Sequence, residues 1–351
     1  MGKKRQSATG NRESQVRGDE NAPLPIGKGL GDGSAPLPLG KGSGDGSVPN
    51  ADYHIPVLLN EVLEALAIKE DGVYVDCTFG GGGHSSHILK ALGPKGRLIV
   101  FDQDADAVRN VPEDARVTFV PHNFRHLKRF LQFHGLPQVD GLLADLGVSS
   151  HQFDEGSRGF STRYEGALDM RMDQRAGKTA ADVLHTYSES ELHKLLEQYG
   201  EVTNSKTLAR TIVEVRKTTV FDTTLAFRNA VSSVVKGNPN KYFAQVFQAL
   251  RIEVNDELGA LKELLEQVPD SLKPGGRAAI ITFHSLEDRL VKVFFRNGTF
   301  EPEEEHPFES RVRYNPLTLV NKKPIEAAQE ELKRNPRSRS AKLRVAERKD
   351  V

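Results

Sequence analysis

The sequence predicts an α/β protein with a doubly wound parallel sheet, and three observations lead to this fold class. Short apolar runs alternate with helical patterns from about residue 73 to residue 145. The alternation stops from 151 to about 253, where the patterns are helical, and a turn and a further strand follow in "LKPGGRAAIITF". Strands separated by crossover helices form parallel sheets with helices on both faces.

The elements are predicted from apolar spacing and from turn residues. A first helix lies in "HIPVLLNEVLEAL", where Pro56 suits the first turn. Four strands are expected in "GVYVDC", "RLIVFD", "RVTFV" and "VDGLLAD", with helices over 84–92, 103–110 and 125–133. Further helices are expected in "ADVLHTYSESELHKLLEQYG", "SKTLARTIVEVRK", "TTLAFRNAVSSVV" and "LEDRLVKVFFR", one long helix over about 242–267, and a last strand in "KLRVAE".

The first 52 residues differ from the rest in composition. "APLPIGKGLGDGS" (22–34) is followed at once by "APLPLGKGSGDGS" (35–47), a tandem repeat of 13 residues with two differences. Segments so rich in Gly and Pro bury too little apolar surface to offset chain entropy. We therefore expect a flexible, disordered extension over 1–52, a domain formed by 53–150 and 254–351, and an inserted all-helical subdomain over 151–253.

Composition restricts the class of protein. Lys and Arg number 48 and so do Asp and Glu, so net charge indicates no nucleic-acid partner, although 332–349 holds eight basic residues and one acidic residue. A single cysteine, Cys77, excludes an intramolecular disulfide and fits a reducing compartment. No apolar run approaches the roughly 18 residues of a membrane helix, and no signal-peptide core follows the basic start. These features predict a cytoplasmic protein without a membrane partner.

Four consecutive glycines in "VYVDCTFGGGGHSSHIL" (73–89) stand between a strand and a helix. That arrangement places backbone N–H groups at the carboxyl edge of the sheet, where ligands bind in open α/β folds. A phosphate-binding P-loop would need Lys after the glycines, but His84 follows Gly83, and the dinucleotide pattern G-x-G-x-x-G also fails. S-adenosylmethionine has no phosphate and needs the close backbone approach that glycine permits.

Residues after the next two strands are typical of a nucleoside site. Asp102 ends "RLIVFD", where a carboxylate accepts hydrogen bonds from both ribose hydroxyls, unless it only caps a helix. Phe124 in "PHNF" either covers an adenine face or belongs to the core. The side chains of Asp76, Cys77, His84 and His87 could suggest a metal site, but Asp76 and Cys77 are adjacent and no metal-ligand spacing appears, so no metal is predicted.

Seven segments, in this order, resemble the small-subunit ribosomal RNA methyltransferase H family over about residues 53–351, and "DLGVSS", "FHSLEDR" and "NPRSRSAKLR" are its specific motifs. The repeat-bearing extension has no counterpart in that family, and "GEVTNSKTLAR" departs from its usual residues. The segments are "HIPVLLNEVLEAL", "DCTFGGGGHS", "LLADLGVSSHQFD", "GFS…ALDMRMD", "FQALRIEVNDEL", "LKPGGRAAIITFHSLEDRLVKVFF" and "NPRSRSAKLRVAER".

The resemblance implies a Rossmann-like class I methyltransferase sheet and an enzyme that uses S-adenosylmethionine. Its expected reaction is methylation of the exocyclic N4 of a cytidine in 16S rRNA of the small ribosomal subunit, with a homodimer left open. Matched position by position, the cofactor contacts that it implies are Gly82, Gly83, His84, Asp102, Phe124, Asp145 and Gln152.

An exocyclic cytosine amine is a weak nucleophile, so catalysis depends on alignment and on acceptors for its protons. Asp145, at the end of the fourth strand, is the candidate catalytic residue; it either accepts from the amine or binds the ammonium group of the cofactor. His284, Ser285 and Asp288 lie after a later strand, where Ser285 would otherwise cap the next helix.

The basic tail predicts a phosphate-binding strip, because its cations alternate with small residues. Two other classes stay open. A DNA amino-methyltransferase usually carries Asp/Asn/Ser-Pro-Pro-Tyr where this chain has "DLGVSS", and a non-catalytic assembly factor would not need a cofactor loop. The expected RNA-binding residues are Arg337, Arg339, Lys342 and Arg344.

Overall fold

The computed structural model describes residues 56–149, 152, 156–162, 164–175, 177–301 and 314–350. The predicted flexible extension over 1–52 lies outside these residues. Within the described part, no helix is both long enough and apolar enough to cross a membrane.

A seven-stranded sheet forms the centre of the fold, in the order β3-β2-β1-β4-β5-β7-β6. The first five strands are parallel, and β7 pairs antiparallel with both β5 and β6. The strand order reverses between β1 and β4, and ligands bind at such a point in open α/β sheets. The predicted doubly wound sheet is confirmed. Its strands are β1 (Val73–Asp76), β2 (Arg97–Phe101), β3 (Val117–Val120), β4 (Val139–Asp145), β5 (Leu272–Thr282), β6 (Leu317–Leu319) and β7 (Lys342–Arg348).

Helices cover the sheet and also fill the interval between β4 and β5. Where a helix over 103–110 was predicted, the chain forms a short 3-10 helix over Ala105–Asn110. Among the described residues, the α-helices are α1 (Leu59–Leu66), α2 (Gly83–Ala91), α3 (Leu127–Phe133), α4 (Ala180–Thr186), α5 (Glu189–Gln198), α6 (Ser205–Val215), α7 (Thr224–Ala230), α8 (Pro239–Asn255), α9 (Glu257–Ser271), α10 (Ser285–Asn297) and α11 (Gln329–Arg334).

Both faces of the sheet are buried, so its central strands consist of nearly continuous apolar residues. In β4, every residue before Asp145 is buried. One face packs against α3, α9 and α10 through a cluster that includes Leu264 and Phe295, and the other packs against α1 and α2 through a cluster that includes Val62 and Ile88. The sheet is therefore a rigid base, and the side chains that end its strands are held in place.

Helices α4 to α8, between β4 and β5, have an apolar cluster of their own. It includes Leu196, Leu208, Phe227 and Phe247. Capping boxes at Thr179 and Ser188 begin α4 and α5. This part of the chain thus gains stability from its own packing as well as from the sheet.

The predicted long helix over 242–267 is wrong, because the chain turns at Asp256. Asp256 has a φ of 47° and a ψ of 45°, a left-handed conformation that Asp tolerates better than most residues. Asn255 fixes the break, since its side chain accepts from the Met172 N–H and donates to the Met170 carbonyl. Helix α8 therefore packs in the helical cluster and α9 packs against the sheet.

Candidate functional site

Three carboxylates meet at the carboxyl edge of the sheet. Asp76 ends β1, Asp102 follows β2, and Asp145 ends β4. Thr78 connects two of them, since its N–H donates to Asp76 Oδ1 at 3.0 Å and its hydroxyl accepts from the Asp145 N–H at 2.7 Å. Parallel strands bring residues that are distant in sequence to one edge of a sheet, so the structure places these side chains at the switch point.

The glycine loop fills two different needs of the backbone. Gly80 and Gly82 have positive φ values, 51° and 74°, which side chains of L-residues disfavour. A Cβ on Gly83 would lie 2.7 Å from Pro56 Cγ, whereas a Cβ on Gly81 would meet nothing within 4 Å. The loop therefore needs glycine for its turn and for its packing on Pro56, and it leaves open space at Gly81 beside the candidate site.

Asp102 is held by the glycine loop. Its Oδ2 accepts from the Gly80 N–H at 2.7 Å, and its Oδ1 accepts from the Asp104 N–H at 2.8 Å. Burial raises the pKa of Asp102 to about 6, although these two hydrogen bonds oppose the rise. Each oxygen keeps a second lone pair, so the carboxylate can still accept from a ligand's hydroxyl groups.

Asp145 is the least satisfied acid at this edge. Its Oδ1 is buried and has no hydrogen-bond partner, and its Oδ2 lies 3.7 Å from His84 Nδ1. Burial raises the pKa of Asp145 to about 6, the neighbouring His84 lowers it, and the acids Asp76 and Glu287 raise it further. A buried acceptor without a partner is costly, which favours a functional role for this atom.

His84 begins α2 and is buried at the same edge. Its Nε2 lies 2.9 Å from the Val57 carbonyl oxygen, and its Nδ1 faces Asp145. Because Ser85 Oγ donates to Asp76 Oδ2 at 2.6 Å, the first turn of α2 is fixed to β1. Through this bond and the bond from the Gly80 N–H to Asp102, the glycine loop, Asp76 and Asp102 form one hydrogen-bonded unit.

Two predicted cofactor residues have other partners in the structure. The Gln152 amide donates to Asp104 Oδ2 at 2.6 Å. Phe124 is half-buried and packs against the apolar cluster that α3 and α9 share. Gln152 is therefore placed to support the loop after β2, and Phe124 belongs in part to the core.

Sequence reasoning missed Arg158. This arginine is only 6% exposed, and its Nη1 donates to Asp104 Oδ2 at 2.6 Å while Nη2 donates to the carbonyls of Arg171 and Met172. The signal available was an arginine in "SRGFS", which nothing in the sequence distinguishes from a surface cation. The ion pair between Arg158 and Asp104 joins the loop after β2 to the chain that follows β4.

The basic tail lies at the same edge of the sheet, but Arg344 does not belong in a phosphate-binding strip. Lys342 is paired with Thr282, the last residue of β5, so the 3-10 helix before it, which carries Arg337 and Arg339, is at the carboxyl edge. Arg344 is 7% exposed and binds both oxygens of Asp288 at 2.7 and 3.1 Å. The sequence could not reveal this ion pair, because β7 becomes an inner strand only through long-range pairing.

Helix α10 does not begin with the Ser285 cap, and the Asp288 box partner, that the sequence left open as an alternative role for these residues. His284, and not Ser285, is its N-cap, and Glu287 accepts from the Phe283 and His284 N–H groups. Asp288 is unavailable for a capping box because it binds Arg344. The longer Glu287 side chain reaches the backbone instead.

Among the described residues, Glu257, His284 and Glu287 lie close enough together to resemble a set of metal ligands. Arg251 already donates to both Glu257 oxygens at 2.8 and 2.9 Å, so a cation is present at this group. The His284 ring is 3.2 Å from Glu287 Oε1. We interpret the group as an ion-pair network between α8, α9 and α10, and derive no metal chemistry from it.

Comparisons with known proteins place this chain in a family. It is 55% identical over 298 residues to the "Ribosomal RNA small subunit methyltransferase H" of Parabacteroides distasonis, covering 84% of this chain and 97% of that relative. The relative of the same name from Bacteroides thetaiotaomicron is 52% identical, with 85% and 98% covered. The crystal structure of TrmN from Thermus thermophilus has 13% identity and a TM-score of 0.38, with 83% and 48% covered. A model described as the MraW methylase family matches residues 51–349, and this chain therefore belongs to the MraW methylase family.

Proposed function

We propose that this chain methylates the exocyclic N4 of a cytidine in 16S rRNA of the small ribosomal subunit, in the cytoplasm, with S-adenosylmethionine as the methyl donor. The printed names of its relatives support ribosomal RNA of the small subunit as the substrate. The observation that carries the chemistry is the buried, unpartnered Oδ1 of Asp145 beside the glycine loop.

The residues present fit this donor, which supplies an electrophilic methyl group on a sulfonium when bound. Asp102 keeps acceptor capacity for ribose hydroxyls, and Phe124 is at the side where an adenine would lie, after β3. The space beside Gly81 admits the close approach of a ligand to the main chain. Gly82, Gly83 and His84 shape that loop, and Gln152 supports it through Asp104.

Asp145 is the acceptor for the amine in this proposal. A hydrogen bond from N4–H to the Asp145 carboxylate, whose side chain is 26% exposed, would give a partner to an acid that the free protein leaves incompletely satisfied. It would also hold the nitrogen in line with the methyl group and receive the proton that the amine must lose. A stacked base cannot reach a buried group, so the cytidine enters unpaired or flipped out.

Arg337, Arg339 and Lys342 bind the RNA backbone in this proposal. They lie at the carboxyl edge of the sheet, as Asp145 does. Phosphate contacts position a nucleic acid without reading its sequence. The helical subdomain over 151–253, which has a core of its own, contributes the remaining recognition of the RNA.

Labelling would test the function directly. The protein is incubated with methyl-labelled S-adenosylmethionine and, in separate reactions, unmodified small subunits, naked 16S rRNA or DNA, and the labelled nucleotide is then mapped. We expect label on N4 of one cytidine of 16S rRNA. Label on DNA would favour an amino-methyltransferase of DNA, and cofactor binding without label would favour an assembly factor.

A further inference from the structure

Asp145, the acceptor for the amine in the proposed function, lies beside a histidine. The His84 Nε2 lies 2.9 Å from the Val57 carbonyl oxygen, and His84 Nδ1 lies 3.7 Å from Asp145 Oδ2. A carbonyl oxygen only accepts hydrogen bonds, so Nε2 must carry a proton. In the neutral ring, Nδ1 is then an unprotonated acceptor that faces the carboxylate.

We propose that His84 is a proton acceptor in methyl transfer: Asp145 takes the proton from the amine, and His84 Nδ1 takes it from Asp145 Oδ2. The inference rests on the proposed function, because it requires an acceptor that loses a proton. It gives His84 a role in the reaction beyond shaping the glycine loop.

The step balances without a further reactant. The bond between N4 and the methyl carbon forms as the carbon–sulfur bond breaks, and the electron pair of the broken bond stays on sulfur. N4 is then cationic until one of its protons moves to Asp145. That proton moves on to Nδ1, so Asp145 is ionised again and His84 becomes an imidazolium. After the methylated nucleotide leaves, the proton returns through Asp145 to water.

The backbone holds His84 firmly in this position. We call Pro56, Val57 and Leu58 the strap. The Leu58 N–H donates to Glu331 Oε1 at 2.9 Å, Leu58 has a φ of 53°, and Pro56 packs on Gly83. Because Val57 lies between these two contacts, its carbonyl oxygen is held in place. That oxygen can only accept, so it keeps the proton of the His84 ring on Nε2.

The charges around the pair suit a relay. The charges of Asp76 from β1, Glu287 from α10 and His84 from α2 act on Asp145. Two acids next to Asp145 favour its protonated form, and an imidazolium at His84 favours its ionised form. A distance of 3.7 Å is too long for a hydrogen bond, but such contacts often shorten when substrate binds. Transfer between the two groups then needs only a small movement.

The test is His84→Gln in the full chain, because a Gln amide can donate to the Val57 carbonyl but cannot take up a proton. We expect single-turnover methyl transfer to unmodified subunits, measured at saturating S-adenosylmethionine, to fall about 100-fold or more, a loss that weaker cofactor binding alone cannot produce. We also expect the acidic limb of the pH–rate profile to move to higher pH, because Asp145 loses the group that lowers its pKa.

His134→Gln is the matched control, since it makes the same substitution at an exposed histidine after α3. A His84→Gln protein with the wild-type rate and pH profile, or one that is impaired only in cofactor binding, would overturn the relay. Mapping the label made by the wild-type protein tests the proposed function separately, because that result does not depend on His84.

A second measurement needs no variant. Nitrogen NMR of the wild-type protein with labelled histidine, under the conditions of the methyl-transfer assay, should show His84 protonated at Nε2 and unprotonated at Nδ1. A ring protonated at Nδ1 alone would donate to Asp145 and could not receive its proton. That result would contradict the inference even if the variant failed to fold.

Discussion

At the scale of single residues, the acids of this site differ in how well they are satisfied. Asp140, at the opposite edge of the sheet, accepts from Lys69 at 3.2 Å and from Lys273 at 2.6 Å, and these partners lower its pKa. Asp145 is only partly buried, but its Oδ1 is inaccessible and without a partner, and its pKa is raised. An acid whose pKa is raised and whose oxygen lacks a partner costs stability, which makes it a candidate for function.

Asp145→Asn should therefore abolish activity and stabilise the fold. We expect methyl transfer to fall about 100-fold or more and the free energy of unfolding at pH 8 to rise by about 1–3 kcal/mol. Because the pKa of about 6 in the folded protein lies above the pKa of Asp in the unfolded chain, the ionised carboxylate destabilises the fold above pH 6. This cost fades as pH falls from 6 towards the pKa of the unfolded state. Denaturant titrations at pH 8 and pH 5, with single-turnover assays, measure both effects.

The control for that experiment is Asp140→Asn, the same substitution at an acid whose pKa is lowered instead of raised. Because Lys69 and Lys273 favour the ionised form of Asp140, this variant should lose stability at pH 8. Normal turnover by Asp145→Asn would remove Asp145 from the mechanism, whatever its effect on stability.

Asp102 predicts how cofactor binding depends on pH. Its pKa is about 6 in the free protein, and ribose hydroxyls that donate to the carboxylate would lower it. Binding should then release a proton near pH 6, and the dissociation constant should rise as pH falls below 6, by up to about tenfold per pH unit. Calorimetry in buffers of different ionisation enthalpy measures this release.

The Asp145→Asn background isolates that effect, because Asp145 also titrates near pH 6. In the same background, Asp102→Asn should bind S-adenosylmethionine more weakly at pH 7.5 and show no pH dependence. Proton release that persists in the double variant would mean that Asp102 does not bind the ribose.

At the scale of elements, the pair between Arg158 and Asp104 joins the loop after β2 to the chain after β4. Asp104 donates its N–H to Asp102 and accepts from Arg158 and Gln152, so it connects the predicted ribose carboxylate to the start of the helical part. Because the pair is buried, removing one partner leaves a charge without compensation.

Arg158→Met should therefore destabilise the protein by about 3–5 kcal/mol and weaken cofactor binding. Arg158→Met combined with Asp104→Asn should lose less than the sum of the single variants, since the second change removes the stranded charge. Denaturant unfolding of all four proteins completes the cycle, and calorimetry gives the cofactor affinities. Additive losses would show that the two side chains do not interact.

The sequence predicted those elements whose signals are local. The strands β1, β2 and β4 consist mostly of apolar residues bounded by turn signals, so their bounds were predicted to within about a residue, and the glycine loop followed from its neighbours in the chain. The break at Asp256 was missed because the apolar spacing continues through it, while its cause, Asn255 bound to Met170 and Met172, is distant in sequence. Arg158 was missed for the same reason.

At the scale of the whole molecule, the last strand determines where the tail lies. β7 runs antiparallel between β5 and β6, so its first residue, Lys342, is beside the end of β5. The sequence predicted both the strand and the basic tail, but not this register, which depends on pairing across about 60 residues. The register decides that Arg337 and Arg339 lie at the edge that carries Asp145, while Arg344 is turned into the fold against Asp288.

This placement predicts the salt dependence of RNA binding. Arg337→Ala combined with Arg339→Ala should reduce the slope of log affinity against log salt by about 1.5–2. With two phosphate contacts fewer, fewer counterions are released when the RNA binds. Lys90→Ala combined with Lys95→Ala, at the opposite edge of the sheet, removes the same charge and should leave the slope almost unchanged. Filter binding of 16S rRNA across a range of salt concentrations compares the two double variants. Equal slopes would mean that net charge, and not the position of the tail beside the site, governs how this protein binds RNA.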